Sequence, residues 1–411
     1  METLHREVPT GVVDGVFAAR FATVVDAFVA NYAERGEVGA SLAITHEGET
    51  VVDVWGGMAD PANATPWRQD TVSIVFSCTK GATAICAHVL AAEGKLDLEA
   101  PVADYWPEFA NGEKADVTVR MMLDHSVGVP ALRDPVEKGE LYDWDRMVAR
   151  LEAEPPFWEP GTRNGYHMVN FGWTVGELVR RASGRSLGAY FQDAVAKPLG
   201  IDFWIGTPEA IEPRVAPMRY YVRPKGEPLT KFQRELLASP TSIPALASAN
   251  IAVMNVNTRA AHAAEVGGGN GISNGRGLAG LYTPFALGGT APNGTVLVDR
   301  DGVDRMRRVS TATNSDATLR LPTRFSMGFM VSMDNRGRPD DDSVVLGEHA
   351  FGHVGAGGSI GFADPSCGLA LGYSMNQMGK GILLNDRGQA VVDAAYRALG
   401  YRSSISGSWQ R

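Results

Sequence analysis

Hydrophobic positions fall into distinct textures along this chain, and the changes between them mark its organisation. Residues 14–34 place Phe17, Phe21, Val24, Val25, Phe28 and Tyr32 on one stripe. That spacing predicts an amphipathic helix stopped at Gly36. Two β-rich runs follow, around 40–45 and 50–55, and the His46-Glu47-Gly48-Glu49 turn between them predicts a hairpin. From about 71 to 320 the periodicity becomes helical, with long connections. A helix over 77–93 carries Ala82, Ile85, Cys86, Val89 and Leu90 on a buried stripe and ends at Gly94. Further helices are predicted near 117–124, 143–152, 169–183, 187–197 and 258–264. Residues 207–257 and 265–300, rich in Pro, Gly and Asn, read as long loops broken by short elements. After 324 the pattern returns to strands, with a turn at Pro365–Gly368, and the chain closes on a helix at about 386–399.

Segments of the same texture on either side of a helical insertion predict one α+β arrangement. Residues 1–70 and 321–411 build a sheet from both chain ends, and residues 71–320 form a mainly helical lobe. A pocket is expected at the junction of the two lobes. No internal repeat is present. The length of 411 residues suits two lobes, and the 44% hydrophobic and 21% charged composition is that of a soluble globular chain. A net charge of −9 without a long basic run argues against nucleic acid or anionic membrane as the main partner. Cys78, Cys86 and Cys367 are too few for a disulfide framework or a zinc site, which suits a reducing compartment. The first residues lack a basic start followed by an apolar stretch, and no run approaches a membrane span, so a cytoplasmic location is expected.

The stretch that carries chemistry is Ser77-Cys78-Thr79-Lys80. Positions i and i+3 share a helix face, so Lys80 reaches back toward the Ser77 hydroxyl. A serine is a poor nucleophile until a neighbour takes its proton, and a lysine whose pKa is lowered by burial does that. The bland alternative is an N-cap serine followed by a solvated lysine. Two other patterns are decoys. Gly275-Arg276-Gly277-Leu278-Ala279-Gly280 fits a dinucleotide fingerprint, with Asp299 downstream, but no strand is predicted before it. His349 and His353 are four apart, yet the glycine-rich segment around them does not suit a helix, so no metal site is expected.

Three blocks in order, Ser77-Cys-Thr-Lys80, Gly165-Tyr166-His-Met168 and His353-Val-Gly355, resemble the serine β-lactamase and penicillin-binding-protein superfamily. Within it the chain is most similar to the class C β-lactamase-like esterases known as family VIII carboxylesterases. Flanking segments agree, from GKLDLEAPVADYWPEF after Lys80 to GGSIGFADPSCGLALGYSMN near the end. The resemblance covers roughly residues 14–400. It implies the β-lactamase/transpeptidase-like α+β fold: an antiparallel sheet flanked by the N- and C-terminal helices, plus the large helical lobe.

It further implies Ser77 as the acylated nucleophile and Lys80 as the amine that helps deprotonate it. Tyr166 becomes general base toward Ser77 and general acid toward the leaving group, an ammonium nearby favouring its phenolate. The oxyanion hole is implied at the backbone N–H groups of Ser77 and Ala356. Glycines 352, 355, 357 and 358 are expected to leave bare backbone for substrate. His353, Gly355, Trp158 and Phe157 are candidate substrate-binding residues, with Tyr282 and Phe329 as further wall candidates. His353 also reads as a packed strand histidine, and Tyr166 taken alone as a core tyrosine. His125 is read as structural, and His167 as pointing away from Tyr166.

Departures from the pattern shape the expected substrate. The third residue of the tyrosine block is Met168 instead of Asn, and Lys-Thr-Gly becomes His353-Val354-Gly355. Both changes remove polar contacts for a β-lactam and favour uncharged, short-chain esters as small-molecule substrates. No cofactor is expected, and a homo-oligomer is compatible with the sequence. A β-lactamase, an amide hydrolase, a lactonase or an acyltransferase fits the same residues. A non-catalytic binding protein on this scaffold is the reading from another class.

Overall fold

The expected hairpin forms as strands Gly39–His46 and Glu49–Asp60, and it lies inside a larger antiparallel sheet. The computed structural model describes residues 1–250, 254–338 and 342–411. Its main sheet runs Glu2–Val8, Gly11–Phe17, Glu49–Asp60, Gly39–His46, Leu369–Met375, Ile360–Asp364, Phe351–Val354, Met330–Val331, Thr323–Phe325 and Thr311–Thr313. The hairpin at residues 39–60 therefore pairs directly with Leu369–Met375, more than 300 residues later. A second sheet of three short strands joins Ser73–Ile74, Ile272–Ser273 and Phe203–Trp204.

The main sheet separates two apolar cores because alternate residues of its strands point to opposite faces. On Leu369–Met375, Leu369 and Leu371 belong to one core and Ala370 to the other. Helices Ala22–Glu34 and Asp386–Ala398 pack against each other over the first core. Helix Cys78–Ala92, largely buried, sits in the second with Phe171–Ser183 and Gly275–Ala286.

Two expectations about secondary structure were wrong. Residues 14–17 are strand, not helix: Gly11–Phe17 alternates buried and partly exposed positions, and the helix starts only at Ala22. Phe17 and Phe21 are buried as the stripe implied, but β-branched Val12, Val13 and Val16 favour the extended form. Residues 275–286, read as loop, form a helix. Their glycines mimic a turn signal but serve close packing. A Cβ on Gly275 would lie 2.9 Å from the Ser41 carbonyl, and one on Gly372 2.2 Å from the Gly275 oxygen. Helix and sheet thus touch through bare backbone. Within 207–257, helices Lys231–Ala238 and Ile243–Ala249 form, while residues 251–253 lie outside the described residues.

One buried ion pair ties the two ends of the chain. Arg387, on the last helix, lies 3.0 Å from Glu37, whose carboxylate also accepts from the Tyr373 hydroxyl. Burial pushes the Glu37 carboxyl up, and Arg387 is the main group opposing that. The same guanidinium donates to Gln377 O at 2.7 Å and to Gly357 O at 3.4 Å. Removing one partner leaves the other charge buried and alone. Arg387→Ala is therefore expected to lower the unfolding free energy by about 3–5 kcal/mol in urea titrations. A loss below about 1 kcal/mol would show that the pair carries no such weight.

Candidate active site

The chain enters the Cys78–Ala92 helix through a strained corner. Phe76 adopts φ +44°, a left-handed conformation that a bulky side chain occupies at a cost. Ser77 follows at the N-cap with φ −67° and ψ −5°, and its side chain makes no capping bond. Its hydroxyl is thus not used as a cap, and the half-buried residue is held at a turn from strand Ser73–Ile74 into the helix.

Lys80 comes one turn later and is fully buried. Its Nζ lies 3.1 Å from Ser77 Oγ and 2.6 Å from each of the carbonyl oxygens of Met168 and Gly268. Among the described residues no carboxylate pairs with it, and burial holds the amine well below its ordinary pKa. A neutral amine has two hydrogens and one lone pair. With two hydrogens held by the carbonyls, release of the third leaves a lone pair facing Ser77 Oγ.

Tyr166 completes the cluster, with Lys80 Nζ 4.8 Å from its ring centre. Its backbone N–H donates to both oxygens of buried Asp316, at 3.0 and 3.1 Å, and its ring stacks on Phe325 at 5.7 Å. The phenol oxygen is buried and makes no hydrogen bond of ordinary geometry. Desolvation pushes its pKa up, and nearby Ser77 opposes this only in part. Burial of the phenol thus opposes the phenolate that a neighbouring ammonium would favour.

His353 sits on strand Phe351–Val354, its ring 6.0 Å from that of Tyr166. Its Nδ1 donates to Val354 O at 2.8 Å, while Nε2 is buried without a partner. Burial lowers its pKa to about 3, so it is a neutral acceptor. Beyond this strand, Gly355 lies against the corner before Ser77: a Cβ there would stand 2.2 Å from Val75 O. The N–H groups of Ser77 and half-buried Ala356 have no acceptor among the described residues. Gly357 O anchors this loop by accepting from Gly379 N–H at 2.9 Å and Asn385 Nδ2 at 2.7 Å. A Cβ on Gly352, Gly355, Gly357 or Gly358 would meet protein atoms at 2.2, 2.2, 2.8 and 2.4 Å, so the α-carbons of these glycines serve close packing.

The aromatic wall candidates have the following packing partners. Trp158 donates to Ser126 O at 3.1 Å, and its ring packs on Gly165, bracing the tyrosine segment from behind. Phe157 lies beneath the Arg133 guanidinium at 3.8 Å, and no ring contact or hydrogen bond links its side chain to Ser77, Lys80 or Tyr166. Tyr282 and Phe329 are core residues, the first against Gly81 and the second against His88 and Phe351. His125 accepts from His167 N–H and packs on Tyr166 at 5.0 Å. His167 turns to Val129 N–H and Gly165 O.

The decoys resolve through packing. A two-residue strand, Ile272–Ser273, does precede Gly275, contrary to expectation, but Gly275 and Gly277 are pressed against Ser41, Ser273 and Asp202. Asp299 caps the helix Arg300–Arg307. His349 contacts Arg307 and does not meet His353. Among the described residues no group of three metal-ligating side chains converges.

Comparison with known proteins shows the family. The profile of the Beta-lactamase family matches residues 21–395. The chain belongs to the beta-lactamase family. It is 35% identical over 388 residues to Esterase/beta-lactamase LipL of Mycobacterium tuberculosis, covering 90% of this chain and 85% of that one. The crystal structure of a family VIII carboxylesterase is 43% identical, with a TM-score of 0.81 over 94% of this chain and 99% of the other. A penicillin-binding protein homologue from Caulobacter crescentus is 33% identical, with a TM-score of 0.83 over 94% of this chain and 99% of that chain. The fold is accordingly the β-lactamase/transpeptidase-like one.

In this beta-lactamase family member several supporting residues escaped the sequence reading. Asp316, Asn385, Arg387 and the Gly268 carbonyl act through backbone groups, and nothing local in the sequence marks them. Around the site His88, His125, His167 and His353 are all buried and neutral, with His88 lowered to about 4 and His167 to about 3. Their folded pKa values lie below the unfolded value of about 6.5, so the unfolded chain binds more protons as pH falls. Stability is therefore lost from about pH 6.5 downward, by about 2 kcal/mol for a His353-like group at pH 5. Raised Glu37, Asp124 and Asp316 act in the opposite sense and offset part of this. The urea midpoint is expected to fall between about pH 7.5 and 5, and an unchanged midpoint would contradict neutral burial of these rings.

Proposed function

We propose that this chain is a serine hydrolase that cleaves carboxylic esters through a covalent acyl-enzyme on Ser77. The observation that carries this is the buried Lys80 amine, 3.1 Å from Ser77 Oγ and 2.6 Å from each of two backbone carbonyls, with no carboxylate beside it among the described residues. Ser77 Oγ gives its proton to Lys80 Nζ as it attacks the ester carbonyl. The Ser77 and Ala356 N–H groups hold the developing oxyanion, which costs no reorganisation because they have no other acceptor. Tyr166, a phenol next to Lys80, passes a proton to the leaving alkoxide and is reprotonated from the ammonium. Water then attacks the acyl carbon, its proton goes to Lys80, and the acid leaves as Ser77 recovers its hydrogen.

Short-chain, uncharged esters fit this site better than β-lactams. Met168 and Val354 offer no side-chain hydrogen-bond donor, and neutral His353 offers no cation for a substrate carboxylate. The curated relative named Esterase/beta-lactamase keeps lactam opening as the second reading. Amide, lactone or acyl-transfer chemistry would use the same groups. The division into residues 1–70 with 321–411 and residues 71–320 supports a site at the junction of two lobes, since Lys80 and Tyr166 come from the insertion and His353 from the later strand. Three buried free cysteines support a cytoplasmic setting, and no helix among the described residues is long and apolar enough to cross a membrane.

Intact mass after treatment with a fluorophosphonate tests the nucleophile. Wild type is expected to gain one adduct and Ser77→Ala none, with nitrophenyl acetate turnover falling by about 10³-fold or more in the variant. Equal labelling of both proteins would overturn the assignment. Faster turnover of a chromogenic cephalosporin than of the nitrophenyl ester would replace the substrate class.

A further inference from the structure

A net charge of −9 describes the whole chain and hides one exception. Between Arg219 and Ala238 stand the cations Arg219, Arg223, Lys225, Lys231 and Arg234 against two carboxylates, Glu227 and Glu235. All five cationic residues are exposed. Both carboxylates are already engaged. Glu227 lies 3.0 Å from Lys380 and accepts from the Tyr221 hydroxyl at 2.6 Å, and Glu235 lies 3.8 Å from Arg320. Among the described residues no carboxylate forms an ion pair with Arg219, Arg223, Lys225 or Lys231. The positive charge of this stretch therefore stays open to a partner.

Large apolar side chains are exposed in the same stretch. Val222 is 83% exposed, Leu237 75% and Tyr220 48%, and only four other large apolar residues among those described are exposed. Such clustering, unlike single scattered residues, marks an interaction surface. The geometry joins the two parts of the stretch. Tyr221 and Arg223 line one side of a cavity mouth, and Lys231, Phe232 and Leu236 line another. Val222 lies between the first two and Leu237 follows the last, so both exposed apolar side chains flank that mouth. Helix Lys231–Ala238 has no buried residue and is held by a capping box, in which Thr230 and Gln233 exchange side-chain-to-backbone bonds at 3.2 and 3.0 Å. Phe232 and Leu236, one turn apart, line the cavity, while Lys231, Arg234 and Leu237 follow at three-residue spacing along the exposed face.

We propose that this face docks the protein on an anionic lipid surface. The cations meet the negative headgroups, while Val222 and Leu237 leave water for the boundary between headgroups and acyl chains. Such a partner uses both kinds of side chain. A nucleic acid or an acidic protein would engage the cations and leave the two apolar side chains in water. The contact is peripheral, along the surface of the lipid. It does not involve Ser77, so its failure and that of the ester-hydrolase reading are separate results.

Sedimentation of the full chain with lipid vesicles tests the docking. At low salt the protein is expected to pellet with vesicles of equimolar phosphatidylcholine and phosphatidylglycerol, to stay in solution with pure phosphatidylcholine, and to be released by added salt. Lys225→Glu with Lys231→Glu, and separately Val222→Asp with Leu237→Asp, are each expected to weaken the partition by about tenfold or more. All four positions are exposed, and an unchanged thermal midpoint checks that each variant is folded. No pelleting with the anionic vesicles, equal pelleting with both vesicle types, or partition of both variants within about twofold of wild type would overturn the proposal. Loss in the charge variant alone, with the apolar variant unchanged, would overturn it in favour of an acidic macromolecule.

Discussion

A lysine amine buried without a counter-charge is the constraint around which this site is organised. Burying an ammonium alone is costly, and the group avoids that cost by releasing its proton. Lys80 is therefore shifted toward the neutral amine, with no acidic neighbour among the described residues. Burial acts on its neighbours as well: desolvation pushes the Tyr166 phenol up and the His125, His167 and His353 rings down. A carboxylate near Lys80 would restore the ammonium and remove the base.

Holding that amine requires three distant parts of the chain. Helix Cys78–Ala92 supplies the lysine, and the Met168 and Gly268 carbonyls supply its acceptors. The two carbonyls are 100 residues apart in sequence, and the close approach of Gly172 to Gly267 and Gly268 brings their segments together. The oxyanion side rests on another part of the chain. Gly357 O is tied to Asn385 and Arg387, and Arg387 is in turn tied to Glu37. The buried ion pair between the chain ends thus bears on the loop next to Ala356. Stability and site geometry are coupled through one guanidinium.

Much of this was legible in the sequence, for a physical reason. Ser77 and Lys80 are linked by helical spacing, which a sequence displays directly. Tyr166 and His353 are recognised from the blocks around them, and the family resemblance carried their order. The N-terminal strands were hidden because Phe17 and Phe21 fit a helical stripe as well as a strand followed by a helix. Helix Gly275–Ala286 was hidden because glycine signals both turns and close packing, and only the sheet it meets decides between them. Asp316 and Asn385 bind backbone groups, so no side-chain pattern announces them.

The state of Lys80 is most directly measured by the pH dependence of the rate at which a fluorophosphonate modifies Ser77. This reaction reports the first proton transfer alone, free of leaving-group and deacylation steps. A lysine already deprotonated predicts a rate that is flat from about pH 7 to 9 and falls only on acidification. A rate that climbs about tenfold per pH unit toward the ordinary lysine value near 10.4 would contradict it, and the site would then need a different base.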